Sequence, residues 1–403
     1  MPATLSNPTA LFDALMPIAP RPEVLFVKGE GSWLIDSNGK RYLDFIQGWA
    51  VNALGHCHPA VVDALQRQCA ALINPSPAFY NQPMVELASQ LAMHSGLDQV
   101  FFANSGAEAN EGAIKLARKW GSLQRNGAFK IITFDNSFHG RTLATMSASG
   151  KPGWDQLFEP KVPGFIKVPY NDIEAVEQVI DDQVVAVMLE PIQGEAGVIP
   201  ARRDFLDGLQ RLARHHRLLL IIDEIQTGMG RTGTLFASQQ LGIAPDILTL
   251  GKGIGGGVPL AAMLARKDIS CFAPGDQGGT YNGNPMACAA GLAVLNTLLG
   301  PGFLAAVTRS SDYLRDGLAT LSAKHRLGEV RGQGLLLALD TAHRDAREIV
   351  VAALAQGLLI NAPRPETLRL MPALTVSQDD IDRMLALLDG VLTLPAASDG
   401  GQH

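Results

Sequence analysis

The stretch Pro245 to Leu260, PDILTLGKGIGGGVPL, sets the reading of the whole chain. Its apolar run Ile247-Leu248-Thr249-Leu250 has the length and composition of a buried strand. The run leads to one lysine, Lys252, held between Gly251 and Gly253 and followed by Gly255, Gly256 and Gly257. Glycines permit turns that a Cβ forbids and let another group approach the backbone closely. A lysine at the mouth of such a turn loses part of its water. Its pKa falls, and a nucleophilic amine becomes available for Schiff-base chemistry. On this stretch alone, a solvated lysine in a surface loop is the competing reading.

Moving outward, the same pattern recurs. Val100 to Ala103 ends at Asn104-Ser105, Lys130 to Phe134 leads to Asp135, Val184 to Leu189 ends at Glu190, and Leu218 to Ile222 ends at Asp223. Continuous apolar strands separated by helical segments predict an α/β fold: a mostly parallel central sheet with helices on both faces. Ligands in such sheets bind outside the carboxyl ends of the strands. A buried strand has no structural reason to finish on a charge, so Glu190, Asp223 and Lys252 mark a candidate site. Asp223 closes the most apolar strand and needs a cation or a strong donor. A protonated pyridine nitrogen would serve, and so would an arginine such as Arg231.

Asn104 to Asn110, NSGAEAN, opens a long helix. The backbone N–H groups of Ser105, Gly106 and Ala107 would face out at the positive end of its dipole, where a phosphate binds readily. Ser105 as a plain helix cap is the alternative. Two segments match GxGxxG, at Gly251/Gly253/Gly256 and Gly228/Gly230/Gly233. In each the helix would begin in a poor context: Pro259 interrupts the first, and no strand carrying an acidic residue follows about 20 residues on. Lys252 precedes a glycine rather than Ser or Thr, so there is no Walker A loop.

The flanks are less informative. Residues 1 to about 22 read as an N-terminal arm. Val27 to Phe45 reads as two strands around Asp36-Ser37-Asn38-Gly39. His56-Cys57-His58 invites a metal, but Pro59 starts a helix at once and no further ligands follow at zinc spacing, so no metal is expected. Gly300 to Arg326 reads as a long helix. Beyond it come a strand (Gly334 to Asp340), a helix (Arg344 to Gln356), a short strand at Leu358, the segment Leu368 to Pro372 and a last helix from Gln378. These elements make a smaller α+β domain with the N-terminal hairpin. The expected division is 61–295 for a large domain, with 1–60 and 296–403 forming the small one. The tail, Ala396 to His403, reads as frayed.

Composition excludes whole classes of function. Across 403 residues, 47% are hydrophobic and 18% charged, as in an ordinary globular protein. A formal net charge of −6 argues against nucleic acid or an anionic membrane surface as partner. No apolar run approaches the ~18–20 residues that span a bilayer. The N-terminus has neither the h-region of a secretory signal nor an Arg-rich transit pattern. Four cysteines without a CxxC make no disulfide framework. The cytoplasm is the expected compartment.

Six motifs stand in order: NSGAEAN, FHGRT (Phe138 to Thr142), EPIQGEAG (Glu190 to Gly197), DEIQTGMGRTG (Asp223 to Gly233), LGKGIGGG (Leu250 to Gly257) and GGTYNGNP (Gly278 to Pro285). Together they resemble the class III, pyridoxal-phosphate-dependent ω-aminotransferases of fold type I. Within these the chain is most similar to the acetylornithine aminotransferases of the ornithine-aminotransferase subgroup. The resemblance runs from about Val27 to Leu394.

It implies roles residue by residue. Lys252 would hold the cofactor as a Schiff base and then carry a proton between two carbons. Asp223 would pair with the pyridinium nitrogen and Gln226 with the ring's 3-oxygen. Phe138 would stack on the ring, and Ser105, Gly106 and Ala107 would bind the phosphate. Glu190 is counted among the cofactor-binding residues. Thr280 with Gly279 would reach the phosphate and substrate of the other subunit of a homodimer.

Arg141 and Arg369 would bind carboxylates. Glu195 would neutralise Arg369 when an ω-amino donor binds and release it to 2-oxoglutarate, unless the two form a permanent pair. The implied reaction is ping-pong transfer of the δ-amino group of N2-acetylornithine to 2-oxoglutarate. Ornithine aminotransferases carry a tyrosine in the arm, whereas Met16-Pro17-Ile18-Ala19-Pro20 has none, which favours an acylated α-nitrogen. Succinylornithine, ornithine and 4-aminobutyrate remain alternative donors. Arg141, Glu195 and Arg369 argue against a fold type I aminomutase, which has no second dicarboxylate to admit, and a dinucleotide-dependent oxidoreductase would lack the absorption of a pyridoxal aldimine at about 420 nm.

Overall fold

A computed structural model describes Phe12 and residues 14–394. Most of the expected arm ahead of residue 14, and the tail from Ala396 to His403, lie outside the described residues.

A seven-stranded sheet forms the centre. Its spatial order is Gln99–Ala103, Ala261–Ala265, Ile247–Leu250, Leu219–Asp223, Val184–Leu189, Lys130–Phe134 and Phe165–Val168. Ala261–Ala265 alone runs antiparallel to its neighbours; the others share one direction. The unbroken apolar runs arise because both faces are covered. In Leu219–Asp223, Leu220 and Ile222 enter one core cluster while Leu219 and Ile221 enter another. The helix Gly106–Gln124 covers the second face with Ala113, Ile114, Leu116 and Ala117.

The sequence reading missed two of these strands. Ala261–Ala265 is rich in alanine, a weak strand former. It exists because the strands on either side both pair with it over its length. Phe165–Val168 is a short edge strand with Lys167 exposed, so it lacks the apolar continuity of the others.

Two smaller sheets tie the chain ends together. Phe26–Glu30, Trp33–Asp36 and Arg41–Asp44 form a meander, one strand more than expected, and Leu358–Leu359 joins it parallel to Arg41–Asp44. Val330–Gln333, Leu336–Asp340, Thr367–Leu370 and Asn361–Arg364 form an antiparallel sheet. The expected helix from Gly300 begins at Phe303, because Gly302 takes φ 76° just before it, and it ends at His325. A separate helix, Pro285–Leu298, precedes it. Asn284 caps that helix by accepting from Met286 N at 2.9 Å, with Pro285 in its first turn. This start was hidden inside the GGTYNGNP motif. Among the described residues no single helix is long and apolar enough to cross a membrane.

Candidate active site

Three neighbouring parallel strands deliver the charged residues to one rim. Asp223 ends Leu219–Asp223, Glu190 follows Val184–Leu189, and Lys252 comes two residues after Ile247–Leu250. Lys252 opens a short 3-10 turn, Lys252–Gly255, at φ 46°. A side chain in this left-handed region carries backbone strain, commonly found where function fixes a residue. The glycines around it pack against protein. A Cβ on Gly106 would meet Ile225 Cδ1 at 2.7 Å, and one on Gly251 would meet Ile225 Cγ2 at 3.1 Å. Ile225 therefore presses the lysine turn against the helix that begins at Gly106, and their glycines make that approach possible.

Asp223 is held through both oxygens. Its Oδ2 accepts from Asn110 Nδ2 at 2.8 Å and lies 2.8 Å from His139 Nδ1, while Oδ1 accepts from Ile225 N at 3.1 Å. Asn110 also donates to the His139 carbonyl and accepts from Thr249 Oγ1, at 2.7 Å each. The arginine alternative fails: Arg231 donates instead to the carbonyls of Leu335 and Pro372. Glu190 is buried and accepts from Phe138 N at 2.9 Å. Burial first, with the Asp223 charge adding to it and His139 opposing, pushes its carboxyl up to about 7. Lys252 is held below its ordinary pKa, chiefly by desolvation and secondarily by Arg369, with Glu195, Asp223 and Glu190 pulling the other way.

Gln226 is buried, and its Nε2 has no hydrogen-bond partner among the described residues. A Cβ on Gly194 would fall 1.6 Å from Gln226 Oε1, so a glycine there makes room for the amide. Phe138 is half-buried, its ring 5.6 Å from Trp154. The start of the helix Gly106–Gln124 lies against the lysine turn, a Cβ on Gly251 falling 3.5 Å from Gly106 Cα. Ser105 caps the helix, Oγ accepting from Glu108 N at 3.3 Å. The cap and the phosphate readings are compatible, because the side chain takes the Glu108 donor while Gly106 and Ala107, at the start of the helix, have no i−4 carbonyl within it.

The carboxylate-binding residues differ in exposure. Arg369 lies on Thr367–Leu370, is fully buried, donates from Nε to Asn361 Oδ1 at 3.0 Å, and places Nη1 2.9 Å from Glu195 Oε1. That contact pairs Nη1 with the carboxylate, whereas Nη2 has no acceptor among the described residues. Burial alone would raise the Glu195 pKa, but Arg369, Lys252 and Lys151 together hold it below the ordinary value. Arg141 is exposed, its guanidinium 5.4 Å from the Trp154 ring centre.

Thr280 and Gly279 are not brought to Lys252 within the chain. They line an open cavity of ≈ 820 Å³ together with Tyr80 and Phe102. Asn282, in the same loop, accepts from Asn104 Nδ2 at 2.9 Å, beside the helix start. Sequence reasoning missed His139, Asn110, Thr249, Lys151 and Trp154. His139 stands in FHGRT and Asn110 in NSGAEAN, so both lay inside quoted motifs. Only the fold reveals that they face Asp223.

The class-III aminotransferase family matches the chain over residues 18–392. The chain is 61% identical to acetylornithine aminotransferase 2 of Bordetella bronchiseptica over 383 residues, covering 94% of this chain and 97% of that one. Among solved structures it resembles the ornithine aminotransferase of Toxoplasma gondii, with a TM-score of 0.91, 33% identity and coverage of 95% and 94%. It also resembles the N-acetylornithine aminotransferase of Stenotrophomonas maltophilia, with a TM-score of 0.82, 38% identity and coverage of 95% and 98%.

Proposed function

The chain belongs to the class-III aminotransferases, and from that premise we propose that it moves the δ-amino group of N2-acetylornithine to 2-oxoglutarate with pyridoxal 5′-phosphate as cofactor. The donor set fits that cofactor. Asp223 is an acid suited to a ring nitrogen, and Gln226 offers an unpaired buried N–H. Phe138 offers a ring face, and the residues from Ser105 to Ala107 a phosphate-binding helix start. When bound, pyridoxal phosphate supplies the electron sink that lets a proton leave an amine-bearing carbon.

The chain's own residues do the rest. Lys252 anchors the cofactor and then takes and returns that proton. Desolvation leaves the amine unprotonated often enough to act, while the nearby carboxylates Glu195, Asp223 and Glu190 keep it basic enough to accept the proton. Asp223 holds positive charge at the ring nitrogen, and His139 and Asn110 fix its orientation. Arg141 binds one carboxylate of the substrate. Glu195 covers Arg369 while the ω-amine is in place, then gives way to the second carboxylate of 2-oxoglutarate.

One observation carries the reading: Arg369 is fully buried in the protein, paired with Glu195 through Nη1, yet its Nη2 has no acceptor among the described residues. A second anion completes it. The experiment is a panel of N2-acetylornithine, succinylornithine, ornithine and 4-aminobutyrate with 2-oxoglutarate, compared by kcat/KM. N2-acetylornithine is expected to lead. Equal turnover of 4-aminobutyrate would refute the donor assignment, and turnover without 2-oxoglutarate would point to a mutase.

The exposed Tyr80, Phe79 and Tyr281 beside Thr280 support a homodimer in which Thr280 and Gly279 complete the partner's site. The pairing of Leu358–Leu359 with Arg41–Asp44 supports one small domain from 1–60 and 296–403 beside a large domain over 61–295. Four free thiols fit a reducing cytoplasm, and N2-acetylornithine as donor fits a place in arginine biosynthesis.

A further inference from the structure

Besides the charge of Lys252, Glu195 has two cations within ion-pair distance, and the second belongs to none of the motifs. Its Oε1 lies 2.9 Å from Arg369 Nη1, and its Oε2 lies 3.8 Å from Lys151 Nζ. The two differ in setting. The Arg369 side chain has no exposure, whereas that of Lys151 is 35% exposed.

Lys151 is nevertheless held in place. Gly150, before it, pairs with Asp135 just beyond the strand Lys130–Phe134, and a Cβ at 150 would fall 2.2 Å from Phe134 O. Gly150 N donates to Ser137 Oγ at 3.0 Å, and its carbonyl accepts from Asn136 N at 2.9 Å. The ammonium of Lys151 then rests 5.5 Å from the Trp154 ring centre and 6.0 Å from that of Phe138. These are cation–π distances. The same Trp154 ring lies under Arg141.

When a dicarboxylate takes the Nη groups of Arg369, Glu195 loses its main partner while still largely enclosed, and a carboxylate stranded there is strongly disfavoured. We propose that Lys151 receives Glu195 in that state. It is a positioning residue that sets how readily the site admits a dicarboxylate. This rests on the reading of Arg369 as the second carboxylate site. At 3.8 Å the Lys151 pair is outside hydrogen-bond distance, so it can tighten as the Arg369 pair opens. The lysine's partial exposure keeps the effect modest.

The test uses holoenzyme and two unreactive ligands, glutarate and butyrate, with dissociation constants read from tryptophan fluorescence. Wild type is expected to prefer glutarate. In Lys151→Met, which keeps the apolar stem over Trp154 but removes the charge, that preference falls roughly two- to fivefold. Lys151→Arg retains it. An unchanged preference in Lys151→Met, or an equal fall in Lys151→Arg, overturns the role of Lys151 while leaving Arg369 standing. A wild type with no preference for glutarate overturns both.

Discussion

Asp223 and Arg369 are both buried charges beside Lys252, yet the chain treats them oppositely. Asp223 has partners on both oxygens, from Asn110, His139 and Ile225. Arg369 donates from Nε to Asn361 and pairs through Nη1 with Glu195, and its Nη2 has no acceptor among the described residues. The difference shows which partner each expects to keep. A group that keeps one set of partners throughout a reaction is fixed by its own chain, and the three contacts on Asp223 still leave a lone pair for a ring N–H. A group that must exchange partners is left short of them, because a saturated guanidinium would refuse an incoming carboxylate.

The most severe way to break this contrast is Asp223→Ala, which removes the acid and strands His139 and Asn110. Turnover at saturating cofactor is expected to fall about 10²–10³-fold, the size of a lost buried charge partner. A fall under about tenfold would mean that Asp223 is structural. Next in size is Arg369→Lys, which keeps the charge and loses the planar fork. The KM for 2-oxoglutarate should rise about tenfold or more, with a smaller change for the amino donor; equal changes would deny the two half-reactions different needs. Glu195→Gln is milder and has the opposite sign. Arg369 is uncovered, so the KM for 2-oxoglutarate should drop several-fold while that for the donor rises. A rise in both would make the Glu195–Arg369 pair merely structural.

The smallest effect concerns pH. Glu190 rises from 4.5 to about 7, burial being the main cause. The folded chain therefore keeps this proton over a range where the unfolded chain has released it. By linkage, stability of the apoprotein falls as pH climbs from about 4.5 to about 7 and levels off above. Glu224, also raised to about 7 by burial, contributes the same slope in both proteins compared. Denaturant melts should show a shallower pH slope in Glu190→Gln than in wild type. Parallel slopes would mean that Glu190 is ionised in the fold.

Much of the fixed half was legible in the sequence. Apolar strands covered on both faces must read as continuous runs, so Val184–Leu189, Leu219–Asp223 and Ile247–Leu250 were evident, and so were the charges at their ends. Ala261–Ala265 was not, because neighbouring strands rather than its own residues make it a strand. His139 could be read as part of a motif but not as the partner of Asp223, since 84 positions separate them. The exchanging half was harder still. Lys151 lies in SGKPG, a stretch that reads as a plain turn, and it reaches Glu195 only because Gly150 lies against the strand end at Phe134 and Asp135.

Lys252 stands between the two halves, its pKa shaped by Asp223 and Glu190 on one side and by Glu195 and Arg369 on the other. The most direct test of the account reduces the holoenzyme with borohydride, digests it and weighs the peptides. The account predicts a pyridoxyl phosphate adduct on the peptide bearing Lys252 and on no other. An adduct on Lys151 or any other lysine, or none at all, would contradict it.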